Sequence, residues 1–290
     1  MSDETNTESW RIEEIASDPA EIKRRHDANR RAWNEGARHY TTEIESSAAF
    51  LREARSNVHP VERRNLEKYG PLSAWCNTAI HLQCAGGRDT LSLAVEGARR
   101  VIGVDISDVM IENARELSRR AGIPARWYRC DILETPHALD ATADLVYTGR
   151  GAICWIHDID AWASVVARLL KPGGVFSLYD GHPIQNLIRE GCTRLEFAPS
   201  ARYFRSAGSG VGWSEQYIGR IDGIDPAEES RKYERSWTLS EIVNAVIGAG
   251  LVIDRIGEHP EDFWEPFPEL PHEQRERIPN TFSLCARKPS

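Results

Sequence analysis

The chain has 290 residues and a mass of 32.7 kDa, with 41% hydrophobic residues, which is enough for one large α/β domain or two small ones. Its 36 Lys and Arg stand against 44 Asp and Glu, and the resulting charge of −8 and pI near 5.7 disfavour nucleic acid or an anionic membrane as the main partner. No window approaches the ~18 apolar residues of a membrane span, and the start, MSDETNTESWRIEEI, lacks the basic and apolar runs of a signal peptide, so a soluble, cytoplasmic protein is expected.

Residues 1 to about 16 hold few strong apolar positions and predict a frayed tail. Asp18 as cap, Pro19 in the first turn and Glu21 as a capping-box acid open a helix expected to stop at Gly36. Helical stretches near 42–57 and 60–69 follow, closed by Gly70-Pro71, so residues 17–71 are expected as a helical cap before a core domain, 72–290. From residue 78 short apolar runs alternate with helical segments, the mark of βαβ units and a parallel sheet. The strands predicted are 78–83, 100–105, 125–130, 143–148 and 174–180, with helices over 107–121 and 158–170 between them. Residues 181–236 lose the alternation and are expected as a lid or substrate-binding insert. A capping box at Thr238–Glu241 opens a last helix, followed by strands 251–258 and 281–287. Two final strands joined without a helix suggest an antiparallel strand closing the sheet. The six cysteines are scattered with no C-x-x-C pair, so neither disulfides nor a metal site is expected.

The chemistry concentrates at the first turn, His81-Leu82-Gln83-Cys84-Ala85-Gly86-Gly87-Arg88-Asp89-Thr90, where a glycine turn joins a strand to a helix N-terminus. The second strand ends in Asp105, eighteen residues after Gly87, where an acid accepts hydrogen bonds from both hydroxyls of a ribose. A helix cap is the plain alternative for Asp105, although Ser107 already fills that place. The dinucleotide fingerprint G-x-G-x-x-G and the P-loop are both absent, so a dehydrogenase is disfavoured.

HLQCAGGRDTLSLA followed by VIGVDISDVMIENARELS resembles the class I S-adenosylmethionine-dependent methyltransferases, and within them a bacterial subgroup with an H-L-Q-C-x-x-G-x-D-T motif. Arg129-Cys130-Asp131-Ile132, Ala143 to Thr148 and Leu170-Lys171-Pro172-Gly173-Gly174 resemble the family's third strand, fourth strand and turn into the fifth, in the right order. The chain departs from the family at His81, where an acid is usual, and at Gln83 and Ala85, where glycines are usual. The resemblance implies a seven-stranded, Rossmann-like, mostly parallel sheet with its last strand antiparallel, and S-adenosyl-L-methionine as cofactor. It implies cofactor binding by Tyr40, Gln83, Cys84, Ala85, Gly86, Gly87, Asp89, Thr90, Asp105, Ile106, Asp131, Ile132, Thr148 and Gly149, with Asp131 facing the adenine and Asp89 and Thr90 the methionine end.

The expected activity is methyl transfer to an O or N atom of a small molecule of specialised metabolism. The alternatives are a nucleic-acid or protein methyltransferase, or a module that binds the cofactor without turnover. His182, after strand five, is the first candidate for a general base, with Asp180 to orient it, followed by His157 and Tyr40. Arg150 is open between pairing with an acidic substrate group and an internal salt bridge. The Asn/Asp-Pro-Pro-aromatic motif of enzymes acting on nucleobase amino groups is missing after strand four, which agrees with the acidic charge in disfavouring nucleic acid. Of nine tryptophans, Trp33, Trp213 and Trp264 fall in segments expected over the cofactor edge, with Tyr40, Tyr203, Phe204 and Tyr217, and suggest a lid over a planar or apolar acceptor. A second copy of the chain is kept open as a partner, a membrane is not.

Overall fold

The computed structural model describes residues 10–290 apart from 205, 215, 216, 222, 226 and 227. Within the segment read as a frayed tail, Trp10–Glu13 form a strand (β1), while residues 1–9 lie outside the described residues. The strand was not legible because its partner, residues 207–210, is far away in the chain.

Helix α1 (Pro19–Thr42) starts as expected, with Asp18 accepting the Ala20 and Glu21 amides, but runs past Gly36. Gly36 is an interior contact instead of a stop: a Cβ there would lie 3.0 Å from Ile218 Cδ1 and 3.1 Å from Trp213. Its missing side chain lets an indole reach the helix backbone. Helices α2 (Ile44–Arg52), α3 (Pro60–Leu66) and the single turn α4 (Leu72–Trp75) follow.

The core then alternates: β2 (Thr78–Leu82), α5 (Arg88–Val95), β3 (Arg100–Asp105), α6 (Asp108–Ala121), β4 (Arg126–Arg129), β5 (Ala143–Gly149), α7 (Ile159–Leu169) and β6 (Leu170–Gly181). Ser107 caps α6 through the Met110 amide, and Gly122 ends it in the left-handed conformation. The segment after β6, read as lacking regular structure, holds β7 (Ser206–Gly210) and β8 (Lys232–Ser236), and these form a three-stranded sheet in the order β1-β7-β8. Helix α8 (Leu239–Gly248) begins at the expected capping box, and β9 (Val252–His259), a short turn α9 (His272–Arg275) and β10 (Thr281–Arg287) complete the chain.

The main sheet has seven strands in the order β4-β3-β2-β5-β6-β10-β9. Strand β10 alone is antiparallel to its neighbours, so the expected α/β architecture is borne out. Successive side chains of a strand point to opposite faces, and the core divides accordingly. Ile80, Val146, Phe176 and Leu284 pack with α7 and α8 on one face, and Ala79, Leu145, Tyr147 and Val175 with α2, α3 and α5 on the other. Asn29 on α1 donates to the Tyr233 carbonyl at 2.8 Å and accepts the Tyr233 amide at 2.7 Å, so the small sheet is held over the C-terminal ends of the core strands. Among the described residues no helix is long and apolar enough to cross a membrane.

Candidate active site

A cavity of about 600 Å³ opens at the C-terminal ends of β2, β3, β5 and β6, where a doubly wound sheet binds ligands. Tyr40, Gln83, Cys84, Ala85, Asp89, Asp105, Ile106, Asp131, Ile132, Gly149 and His182 line it. Gly86, Gly87, Thr90, Thr148 and His157 stand off its wall.

The turn after β2 explains how the departures from the glycine pattern fit. Gln83 has φ 58°, Ala85 φ 44° and Gly87 φ 83°, so alternate residues take the left-handed backbone that glycines favour, two of them with side chains. Gly87 itself is enforced from behind the turn, where a Cβ would lie 2.6 Å from the Trp127 ring and 2.8 Å from Ala114. Asp105 Oδ2 accepts the Ala85 amide at 2.9 Å and Oδ1 accepts the Ser107 amide at 2.8 Å, so its carboxylate is fixed at the cavity wall. Burial pushes its pKa up to about 6 against these amides.

His81, at the usual acid position, is buried, which lowers its pKa to about 4 and keeps the ring neutral near pH 7. Its Nδ1 meets the Thr90 hydroxyl at 2.8 Å, and its ring lies edge-on to Tyr147. Thr148 donates its hydroxyl to the Leu82 carbonyl at 3.0 Å, linking β5 to β2. Negative charge near this turn comes from Asp89, which pairs with Arg150 at 2.5 Å and accepts from Asn57 at 2.6 Å. Burial raises the Asp89 pKa, but Arg150, His81 and Asn57 outweigh it and hold the carboxyl below its ordinary range. Arg150 therefore makes an internal salt bridge and also lines the cavity. Its second carboxylate neighbour, Glu62, is fully buried, takes the Tyr147 hydroxyl at 2.5 Å, and has its pKa raised by burial.

At the adenine-type end, Asp131 accepts the Leu133 amide at 3.0 Å and meets His26 Nδ1 at 2.7 Å. His26 Nε2 in turn accepts the His157 amide at 3.1 Å, which assigns the His26 proton to Nδ1. His157 Nε2 faces the Tyr233 carbonyl at 3.3 Å, and burial lowers its pKa to about 3. His182 Nδ1 accepts the Ile184 amide at 3.2 Å, capping a short turn, and Nε2 lies 3.0 Å from Glu258. Asp180 does not touch His182. Its carboxylate gathers the amides of Gly151, Ala152, Ile153 and Gly181 and fixes the loop after β5.

The opposite wall is aromatic. Trp33 lies 4.7 Å from Trp213, 5.3 Å from Trp155 and 6.1 Å from Tyr217, ring centre to ring centre. Tyr217 hydrogen-bonds Tyr40, whose pKa burial pushes up to about 12, and packs 5.8 Å from Trp264 at the rim. Lys232, Glu234 and Ser236, alternate residues of β8, complete this wall.

Residues 79–174 match a family described as a methyltransferase domain. A 27-O-demethylrifamycin SV methyltransferase from Amycolatopsis mediterranei is 28% identical over 219 residues, 71% of this chain and 74% of that protein. An uncharacterised methyltransferase from Synechocystis is 31% identical over 114 residues, 38% of this chain, and the chain spans about half, 49%, of its length. A crystal structure of an S-adenosylmethionine-dependent methyltransferase from Mesorhizobium loti superposes with a TM-score of 0.55 at 21% identity, covering 80% of this chain and all of that one, a likeness of fold. Residues 79–174 thus match a methyltransferase domain, set in a fold shared with S-adenosylmethionine-dependent methyltransferases.

The residues present fit that donor. Asp105 and Asp131 stand at the ends of adjacent strands, where they would accept from ribose hydroxyls and an adenine amino group, and Ile106, Met110 and Ile132 line the cavity beside them as apolar surface. When bound, the cofactor supplies a methyl group on a positively charged sulfur. The cavity is also lined by residues the sequence did not reveal. His26, Asn57, Trp155 and Glu234 all line the cavity, yet each gets there by a long-range contact with no local pattern.

Proposed function

We propose that this protein transfers a methyl group from S-adenosylmethionine to an oxygen or nitrogen atom of a small molecule with a flat or apolar body, in specialised metabolism. One observation carries the reading: a single cavity of about 600 Å³ joins a cofactor-type wall, built on Gln83, Ala85, Asp105 and Asp131, to an aromatic wall of Trp33, Trp155, Trp213 and Tyr217. That volume suits two small ligands side by side. The chain's residues hold the two reactants in line and exclude water, which is the larger part of such catalysis, with effective molarities of roughly 10⁵–10⁸ M. The 27-O-demethylrifamycin SV methyltransferase among its relatives acts, by its name, on a small molecule, which supports the same reading. The net charge of −8 supports a partner other than nucleic acid. Six free cysteines support a reducing compartment such as the cytoplasm.

The test is incubation with methyl-labelled donor and, separately, a panel of phenols, catechols and aromatic amines, total RNA, and a protein lysate. Label in the small-molecule fraction is the expected result. Label in RNA or protein alone would overturn it.

A further inference from the structure

Strand β8 turns Lys232, Glu234 and Ser236 toward the cavity. Across the small sheet, Glu234 pairs with Gly208, so no side chain crowds it from β7. Lys232 is engaged elsewhere: its ammonium bonds the Gly212 carbonyl and lies 4.4 Å from the centre of the Trp213 ring. Arg235 is likewise occupied, over the Trp237 ring and against Glu241. Among the described residues the Glu234 carboxylate has neither a hydrogen bond nor an ion pair, although it is half-buried in the wall of an aromatic cavity. The side chain lines the cavity, where a ligand's O–H can supply the missing partner.

The expected bases are otherwise committed. His182 has both ring nitrogens engaged, one by an amide and one by Glu258. His157 is off the wall and its Nε2 faces a carbonyl. Tyr40 holds its proton well above neutral pH.

Resting on the methyl-transfer reading above, we infer that Glu234 is the general base of the acceptor site, and that the acceptor presents a hydroxyl group to it. The acceptor O–H bond breaks and its proton passes to a Glu234 carboxylate oxygen. The acceptor oxygen forms its bond to the methyl carbon, and the donor's S–C bond breaks with its electron pair left on sulfur, which becomes a neutral thioether. One proton is released overall, and it leaves Glu234 to water. The surroundings suit the task. Burial pushes the Glu234 pKa up to about 7, opposed by Lys232 on its own strand, and the Cys154 thiol on the turn after β5 faces it, protonated.

The experiment has two arms. In the S-adenosylhomocysteine complex, infrared difference spectra of wild type and Glu234→Gln should show a protonated-carboxyl band that titrates near pH 7 and is missing in the variant. Titration of that group near pH 4 would overturn the proposal. With labelled donor and the phenol and catechol panel, Glu234→Gln should lose about 10²–10⁴-fold in rate. Its affinity for S-adenosylhomocysteine should stay unchanged, Glu234→Asp should recover part of the rate, and the acidic limb of the wild-type pH profile should vanish in Glu234→Gln. A variant as fast as wild type would overturn the role of Glu234 and leave the methyl-transfer reading standing. A wild type that binds S-adenosylhomocysteine but methylates nothing in the panel would overturn the small-hydroxyl acceptor, and the role of Glu234 with it.

Discussion

His26 Nδ1 lies 2.7 Å from Asp131 Oδ2, so the first long helix, α1, holds the acid at the end of β4. The same ring accepts the His157 amide, and one side chain therefore ties three segments together beside the cavity.

His26→Ala leaves a buried amide and a largely buried carboxylate oxygen without these partners. We expect a loss of about 1–3 kcal/mol in urea unfolding. With Asp131 no longer fixed, S-adenosylhomocysteine affinity by calorimetry should fall by roughly tenfold, about 1.4 kcal/mol. Unchanged affinity would dissociate His26 from the cofactor site.

Asp105 ties pH to both stability and binding. Its pKa of about 6 in the folded chain exceeds the ordinary 3.8, so the folded state holds the extra proton between these values. The penalty for ionising it is absent below pH 4 and grows as pH rises to 6, reaching roughly 3 kcal/mol at 1.36 kcal/mol per unit. Asp105→Asn should therefore gain stability relative to wild type as pH rises from 4 to 7. Its S-adenosylhomocysteine affinity should nevertheless fall at least about tenfold, because an amide accepts less from a ribose. Wild-type binding should weaken below pH 6 and release a proton near that pH, read from calorimetry in buffers of different ionisation enthalpy.

Ala85→Gly reverses a usual rule. Alanine at φ 44° carries about 1–2 kcal/mol of backbone strain, and glycine costs about 0.5–1 kcal/mol of chain entropy. The variant should be neutral or more stable by up to about 1.5 kcal/mol, and clear destabilisation in a denaturant titration would contradict the conformation described.

Gly87→Ala runs the other way two residues later. Its Cβ would meet the Trp127 ring at 2.6 Å with φ at +83°. Overpacking and backbone strain together predict a loss of about 2–4 kcal/mol, read from the denaturation midpoint.

What the sequence made legible was local. The cap at Asp18, the capping box at Thr238 and the final strand Thr281–Arg287 each announce themselves within a few residues. Asp105 was legible because the strand-turn-helix geometry fixes the distance from a glycine turn to the next strand end. Gly36 misled because the stop signal and the demands of close packing select the same residue, and only the approach of Trp213 separates them. His26, the pairing of Trp10–Glu13, and the Asn29–Tyr233 bonds that bring Glu234 to the cavity all join segments about a hundred to two hundred residues apart, for which the chain holds no periodic sign.

The bond pair between Asn29 and Tyr233 has a consequence for the order in which the molecule assembles. The cofactor wall is drawn from turns between consecutive strands, closed by short loops. The acceptor wall needs residues near 33, 213 and 234 together, a closure across some two hundred residues whose entropy is recovered only once the core is in place to receive it. The aromatic wall thus holds the longest closures of the cavity, while Asp131 on the cofactor wall waits on His26 alone among distant side chains described above. Changes within residues 206–236 therefore fall on the aromatic wall, and at Tyr217, bonded to Tyr40, they reach the cofactor wall as well.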